Sequence, residues 1–268
     1  MVQFRLSNIH LVPKFVQFRA LLSQPEPNQL TETPKGITCP LKEHQQSGLT
    51  WLKWRESIAP RGGILGKERK YLADEMGLGK TLCMISLIVA AKAERKLRRK
   101  EGRDEEDRER RQKVKARGLV PSNATLIVAP AALIYHWQAE IEERCEDGLL
   151  RTIVYHSNSR RKIGLDTLAR ADVVITTYTL LASEIERDGK NQRARPRSPS
   201  ENLCLRHSCI FYYDLQKCSV LEDIYWGRII LDEAHQIKNK STKSSRILVM
   251  ACNLVCGFGF IHNTMRRK

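Results

Sequence analysis

The chain has 268 residues, is 41% hydrophobic and carries a formal net charge of +16. That length suits one large domain or two small ones. The longest apolar runs, TLIVAPAALI from Thr125 and RIIL before Asp232, fall short of the roughly 20 residues that span a bilayer as a helix. A charge so positive favours a polyanionic partner, nucleic acid first, over the plainer alternative that the excess sits in solvated linkers. Eight cysteines occur without a C-x-x-C pair. Cys204, His207, Cys209 and Cys218 come nearest to a metal cluster, but their spacing fits no common zinc module, so no structural zinc is expected. Reduced intracellular thiols are the simpler reading.

In chain order, residues 1–35 end in a Pro-rich stretch and are expected to be a disordered tail. LKEHQQSGLTWLKWRES places apolar or aromatic groups at Leu41, Leu49, Trp51, Leu52 and Trp54, the pattern of an amphipathic helix. RGGIL reads as a buried strand, and TLCMISLIVAAKA as an apolar helix that runs into charge. Within residues 92–117 there are thirteen basic and seven acidic side chains, with Leu97 and Val114 the sizeable apolar groups. Such a segment has no core of its own, so residues 92–120 are expected to be a charged linker or helix extension.

Beyond it the pattern alternates. ATLIVAP (124–130) and ADVVITTY (171–178) are apolar on both faces, as buried parallel strands are, and TIVYH is a third strand. ALIYHWQAEIEERC is a helix between them. An irregular insertion is expected over 186–222, then a strand in WGRIILDEAH and a final helix in STKSSRILVMACNL. This alternation predicts an α/β fold of three layers around a mostly parallel sheet.

Two motifs carry chemistry. A phosphate loop needs glycines where a Cβ would block backbone N–H groups, then a lysine and a hydroxyl. In DEMGLGKT, Gly77 and Gly79 free the backbone, Lys80 reaches phosphate oxygens and Thr81 offers a ligand to Mg²⁺. The strict pattern would need glycine where Asp74 stands, so the match is to a variant form. Asp232 and Glu233 end a predicted strand, where a parallel sheet presents ligand groups. An Asp there holds Mg²⁺ and the adjacent Glu orients the attacking water. An acidic helix start offers the same residues a purely structural role.

DEMGLGKT (74–81), LIVAPAALIYHW (126–137), VITTYTLL (174–181) and WGRIILDEAHQIKN (226–239) together resemble motifs I, Ia, Ib and II of the SNF2 branch of superfamily 2 helicases. LKEHQQSGLTWL (41–52) is similar to the segment before motif I. The resemblance covers about residues 36–254, and PKGITCPLKEHQ and WLKWRES look like its lodestar-like members, which are associated with RNA polymerase II transcription termination. It implies a RecA-like N-terminal lobe of an ATP-driven translocase on double-stranded DNA, in the nucleus. ATP and Mg²⁺ would be the cofactors, and the RNA polymerase II elongation complex a partner. Gln45 would read adenine; Asp74, Glu75, Met76, Gly77, Leu78, Gly79, Lys80 and Thr81 would hold the nucleotide; Thr81 and Asp232 would hold Mg²⁺. Lys80, Asp232 and Glu233 would be catalytic, and Ala129, Pro130, Thr176 and Thr177 would face the DNA backbone unless they serve packing alone.

Two departures stand out. No T-G-T-P follows MACNL (250–254), and residues 255–268 read as a divergent tail without the second lobe that would bring an arginine finger. The chain is therefore expected to lack the lobe's last strand and to be hydrolytically incompetent alone; a non-catalytic basic fragment that binds DNA or a partner is the alternative. Second, GKERKYL (66–72) interrupts the family string between RGGIL and ADEMGLGKT. The expectation is that Tyr71–Leu72 replace Ile64–Leu65 in the sheet, because the phosphate loop must leave directly from a strand end and unpaired charges resist burial.

Overall fold

Successive residues of a strand face opposite sides of a sheet, so a strand covered on both sides must be apolar nearly throughout. The computed structural model describes residues 25, 29–58, 63–65, 79–157, 162–191, 220–233 and 259–262. In chain order these form α1 (Glu43–Ser57), β1 (Gly63–Leu65), α2 (Lys80–Lys100), α3 (Glu105–Ala116), β2 (Val120–Pro121) and β3 (Thr125–Ala129). There follow α4 (Ile134–Arg144), β4 (Thr152–Val154), α5 (Leu165–Ala169), β5 (Val173–Thr177), α6 (Tyr178–Asn191), β6 (Ile224–Tyr225), β7 (Arg228–Asp232) and β8 (Gly259–His262). Every residue of β3, β5 and β7 is buried, as their composition requires.

Six strands make one sheet in the order β1-β8-β7-β3-β5-β4, with every pairing parallel. Alternate side chains of the central strands divide between two cores. Ile127, Ala129, Val173, Ile175 and Ile230 pack with α1, α2 and α4 through Leu49, Leu52, Met84, Ile85, Ile88 and Trp137. Leu126, Val128, Val174, Ile229 and Leu231 pack on the other face with Leu168, Tyr178, Leu181 and Trp226. The result is the three-layer architecture that the alternation predicts. Because all six strands run the same way, their carboxyl ends share one edge.

Residues 29–35, within the segment expected to be tail, are tied to the lobe. The Thr31 N–H donates to Thr50 Oγ1 at 2.8 Å, and the Leu41 N–H to Thr33 Oγ1 at 2.9 Å. Further on, the Thr38 N–H donates to the Arg144 carbonyl at 3.0 Å and the Glu146 N–H to the Gly36 carbonyl at 2.9 Å. The charged segment is largely helical: α2 continues to Lys100 and α3 packs Val114 into a buried position. Spaced pairs such as Lys113–Glu109 at 3.3 Å support that helix along its exposed side. In the predicted irregular insertion, α6 runs on to Asn191 and residues 192–219 lie outside the described residues, as do the four zinc candidates and the predicted final helix.

Two expectations are corrected. Gly63–Leu65 form β1, pairing with β8 in the register Gly63↔Phe260, Ile64↔Ile261 and Leu65↔His262, so Tyr71–Leu72 do not replace Ile64–Leu65. The reason is position: among the described residues, β1 ends the strand order and has a neighbour on one side only. Charged residues following an edge strand have solvent beside them and need not be buried. Tyr71 and Leu72 themselves lie outside the described residues. The second correction concerns the expected loss of the last strand. Gly259–His262 fill the slot between β7 and β1, pairing Ile229↔Gly259 through Asp232↔His262.

Candidate nucleotide site

The carboxyl edge of the sheet begins with Gln45. Its side-chain Oε1 accepts the Lys42 N–H at 2.9 Å, satisfying one open donor at the start of α1. That bond fixes the orientation of the amide, with Nε2 at its outward end. The outward end, Nε2, lies against Gly79, the residue that caps α2. Gly79 has φ +75 and ψ 30, a left-handed conformation that side chains disfavour, and a Cβ added there would overlap the Gln45 amide. Two independent constraints, backbone and space, therefore demand glycine. Behind them the Cys83 thiol is directed at the Gln45 carbonyl, 3.7 Å away. Burial pushes that thiol up to about 12, so it stays neutral.

Lys80 and Thr81 are the first two residues of α2, where helical N–H groups have no intrahelical acceptor and the helix dipole favours an anion. Lys80 is 8% exposed and makes no hydrogen bond or ion pair with the described residues. A buried ammonium left without an acidic partner is suited to an anionic ligand. Asp74, Glu75, Met76, Gly77 and Leu78 lie outside the described residues.

Asp232 closes β7 at 4% exposure. Its carboxylate Oδ2 accepts the indole N–H of Trp137, on α4, at 2.8 Å. Its backbone carbonyl accepts the hydroxyl of Tyr178, which opens α6, at 2.7 Å. Burial, then the charges of Asp232 and Glu233, push the Tyr178 phenol up, which keeps it a donor. Two aromatic donors from elements on opposite faces of the sheet thus fix the acid's side chain and its backbone. Glu233 follows with φ 50, the left-handed region, uncommon for a residue with a side chain. Backbone strain thus falls on the residue expected to orient water.

The residues expected to face DNA sit differently from one another. Ala129, Thr176 and Thr177 are at most 1% exposed, whereas Pro130 is half-buried. Thr176 Oγ1 donates to the Tyr155 carbonyl at 3.1 Å, and Thr177 Oγ1 accepts the Leu180 N–H at 3.2 Å. Their side chains are occupied within the lobe. Trp137 and Tyr178 were legible only as core aromatics, since nothing in an apolar stripe signals that an N–H or O–H will meet a carboxylate. The donor set fits Mg²⁺: Thr81 and Asp232 offer hard oxygen ligands, one of them already oriented by a hydrogen-bonded neighbour.

A three-layer parallel lobe with Gly-Lys-Thr opening a helix and acids at a strand's carboxyl end has the build of a RecA-like lobe. The comparisons narrow this further. The profile of the SNF2-related domain matches residues 44–255, and the chain belongs to that family. It is 34% identical over 234 residues to transcription termination factor 2 of Drosophila melanogaster, covering 82% of this chain and 18% of that protein. It is 29% identical over 257 residues to the ATP-dependent helicase ULS1 of Saccharomyces cerevisiae, covering 91% of this chain and 14% of that protein. The chain therefore spans less than a fifth of these relatives. Among solved structures it is similar to the Sulfolobus solfataricus SWI2/SNF2 ATPase core in complex with dsDNA, with a TM-score of 0.55 and 23% identity over 89% of this chain and 34% of that one. At that identity the likeness concerns the fold.

Proposed function

We propose that these residues form the ATP-binding lobe of an SNF2-type translocase acting on double-stranded DNA. The observation that carries this reading is the meeting of Gln45, Gly79 and Lys80, which brings an amide, a left-handed glycine and a buried ammonium to the start of one helix. In this reading the Gln45 amide, its Oε1 held by Lys42, presents its N–H groups to an adenine edge. Lys80 and the first N–H groups of α2 take the phosphates. Thr81 and Asp232 hold Mg²⁺, with Trp137 and Tyr178 fixing Asp232 in place. The chemistry supplied by Mg²⁺ there is neutralisation of phosphate charge. Glu233 orients and deprotonates water.

The four residues of the opposing motifs bring DNA close through backbone at strand ends rather than through free side chains, since three are buried. Such contacts hold phosphates and carry no sequence information. Similarity to a transcription termination factor supports a nuclear role at the RNA polymerase II elongation complex, or at chromatin. Tested as 268 residues alone, the chain binds nucleotide but turns it over negligibly, because an arginine from a second lobe contributes roughly 10³–10⁵ to turnover in related NTPases. Equilibrium binding of MgATP, with Lys80→Ala as the control, and DNA-stimulated phosphate release test both halves. Binding indifferent to Lys80 would leave the alternative, a non-catalytic basic module that grips DNA or a partner; rapid turnover would contradict the need for a second lobe.

A further inference from the structure

At the opposite, amino-terminal edge of the sheet lies a cavity of about 930 Å³, walled by α1, the outer half of α2, α3 and the chain before β3 and β7. It is lined by the ends of α1 and α2 remote from Gln45 and Lys80, together with α3. Near its floor is Arg95, a half-buried guanidinium with no hydrogen bond or ion pair among the described residues. The carboxylates around it are engaged elsewhere. Glu56 receives both arms of Arg228, at 2.5 and 2.8 Å. Glu94 holds Lys53 at 2.8 Å, and Asp172 holds Lys92 at 2.8 Å. Asp107 lies 3.8 Å from Arg110. Burial, then the charge of Arg228, depress the Arg95 guanidinium to about 10, and the opposing pull of Asp172 and Asp107 does not offset them.

Arg98 and Arg117 add two exposed guanidiniums on the wall, and neither makes an ion pair among the described residues. The acids Glu106 and Glu109 are exposed, and Glu109 is held by Lys113 at 3.3 Å. An uncompensated cation in a cavity is relieved by an anion, and guanidinium forks match phosphate oxygens in pairs. We propose that this cavity is a second anion site, which takes a small polyphosphate through Arg95 at its floor and Arg98 and Arg117 on its wall. A single small anion balances one of the three guanidiniums; linked phosphates reach all three. The site lies at the far end of β7 from Asp232, four residues away or roughly 13 Å at ~3.3 Å per residue, so it is separate from the nucleotide site.

The test uses tripolyphosphate without divalent metal, at fixed ionic strength, on the full chain carrying Lys80→Ala so that the phosphate loop contributes nothing. The proposal expects a saturable rise in Tm, roughly 5–10 °C at a hundredfold excess over Kd. Adding Arg95→Met abolishes the rise, and this apolar replacement leaves the ligand-free Tm unchanged or higher, because it removes an uncompensated charge. Arg98→Gln with Arg117→Gln, both exposed and harmless to folding, raises Kd at least fivefold. Arg170→Gln, an exposed arginine outside the cavity, changes nothing. The proposal is overturned if no saturable rise occurs, if Arg95→Met or the double variant keeps it, or if Arg170→Gln loses it equally. Displacement by a polyglutamate peptide at lower concentration than by pyrophosphate would also overturn it, by reassigning the site to acidic protein. Because Lys80 is absent throughout, none of these outcomes depends on the nucleotide site.

Discussion

The two ends of β7 solve the same problem, a charge in the sheet's interior, in opposite ways. At its amino end Arg228 is matched by a carboxylate: Glu56 receives both guanidinium arms, and Thr125 Oγ1 accepts a third bond at 3.2 Å. At its carboxyl end two neutral donors fix Asp232, the Trp137 indole on its carboxylate at 2.8 Å and the Tyr178 hydroxyl on its backbone carbonyl at 2.7 Å. A matched ion pair is finished chemistry and ties α1 to the sheet. A carboxylate that accepts an indole N–H is held in one orientation at the strand's end. The contrast separates structure from function along five residues of one strand.

Substitutions on the two ends should therefore fail differently. The largest effect is expected from Glu56→Ala, which strands Arg228 and should cost about 3–5 kcal/mol in denaturant unfolding while the affinity of the folded protein for nucleotide stays unchanged. Gly79→Ala comes next: a left-handed residue and an overlap with Gln45 together should cost about 1–3 kcal/mol, and nucleotide affinity should fall with it. Trp137→Phe keeps the ring but removes the donor. We expect the Mg²⁺ concentration needed for nucleotide binding to rise roughly 10–100-fold, as when a metal ligand loses its supporting partner. Tyr178→Phe should be the mildest, about 1 kcal/mol of stability, because it removes a bond to backbone rather than to the carboxylate. If Trp137→Phe lowered stability as much as Glu56→Ala and left the Mg²⁺ requirement unmoved, the contrast would collapse.

Much of the scaffold was legible because it depends on patterns within single segments. Residues 124–130 and 171–178 declare β3 and β5 by carrying apolar groups on both faces, and the apolar run after Thr81 declares α2. What escaped was set by neighbours distant in the chain. β8 carries Gly259 and follows a departure from the family pattern, yet it is a strand because the gap between β7 and β1 accepts one. The choice between Ile64–Leu65 and Tyr71–Leu72 turned on whether the strand was central or at the edge, which no local pattern encodes. In the candidate site, residue type and placement single out Lys80 and Asp232, and the fold buries both. The contact of Gln45 with Gly79 and the Trp137–Asp232 bond were not legible, since each joins segments with no sequence relation to one another.

The most direct test of the central reading is equilibrium binding of a fluorescent ATP analogue to the 268-residue chain and to Lys80→Ala, each with and without Mg²⁺. Lys80 is buried with no partner among the described residues, so the account predicts saturable, Mg²⁺-dependent binding by the native chain and none detectable in the variant. Binding of equal strength in both, or in neither while both remain folded, would contradict it.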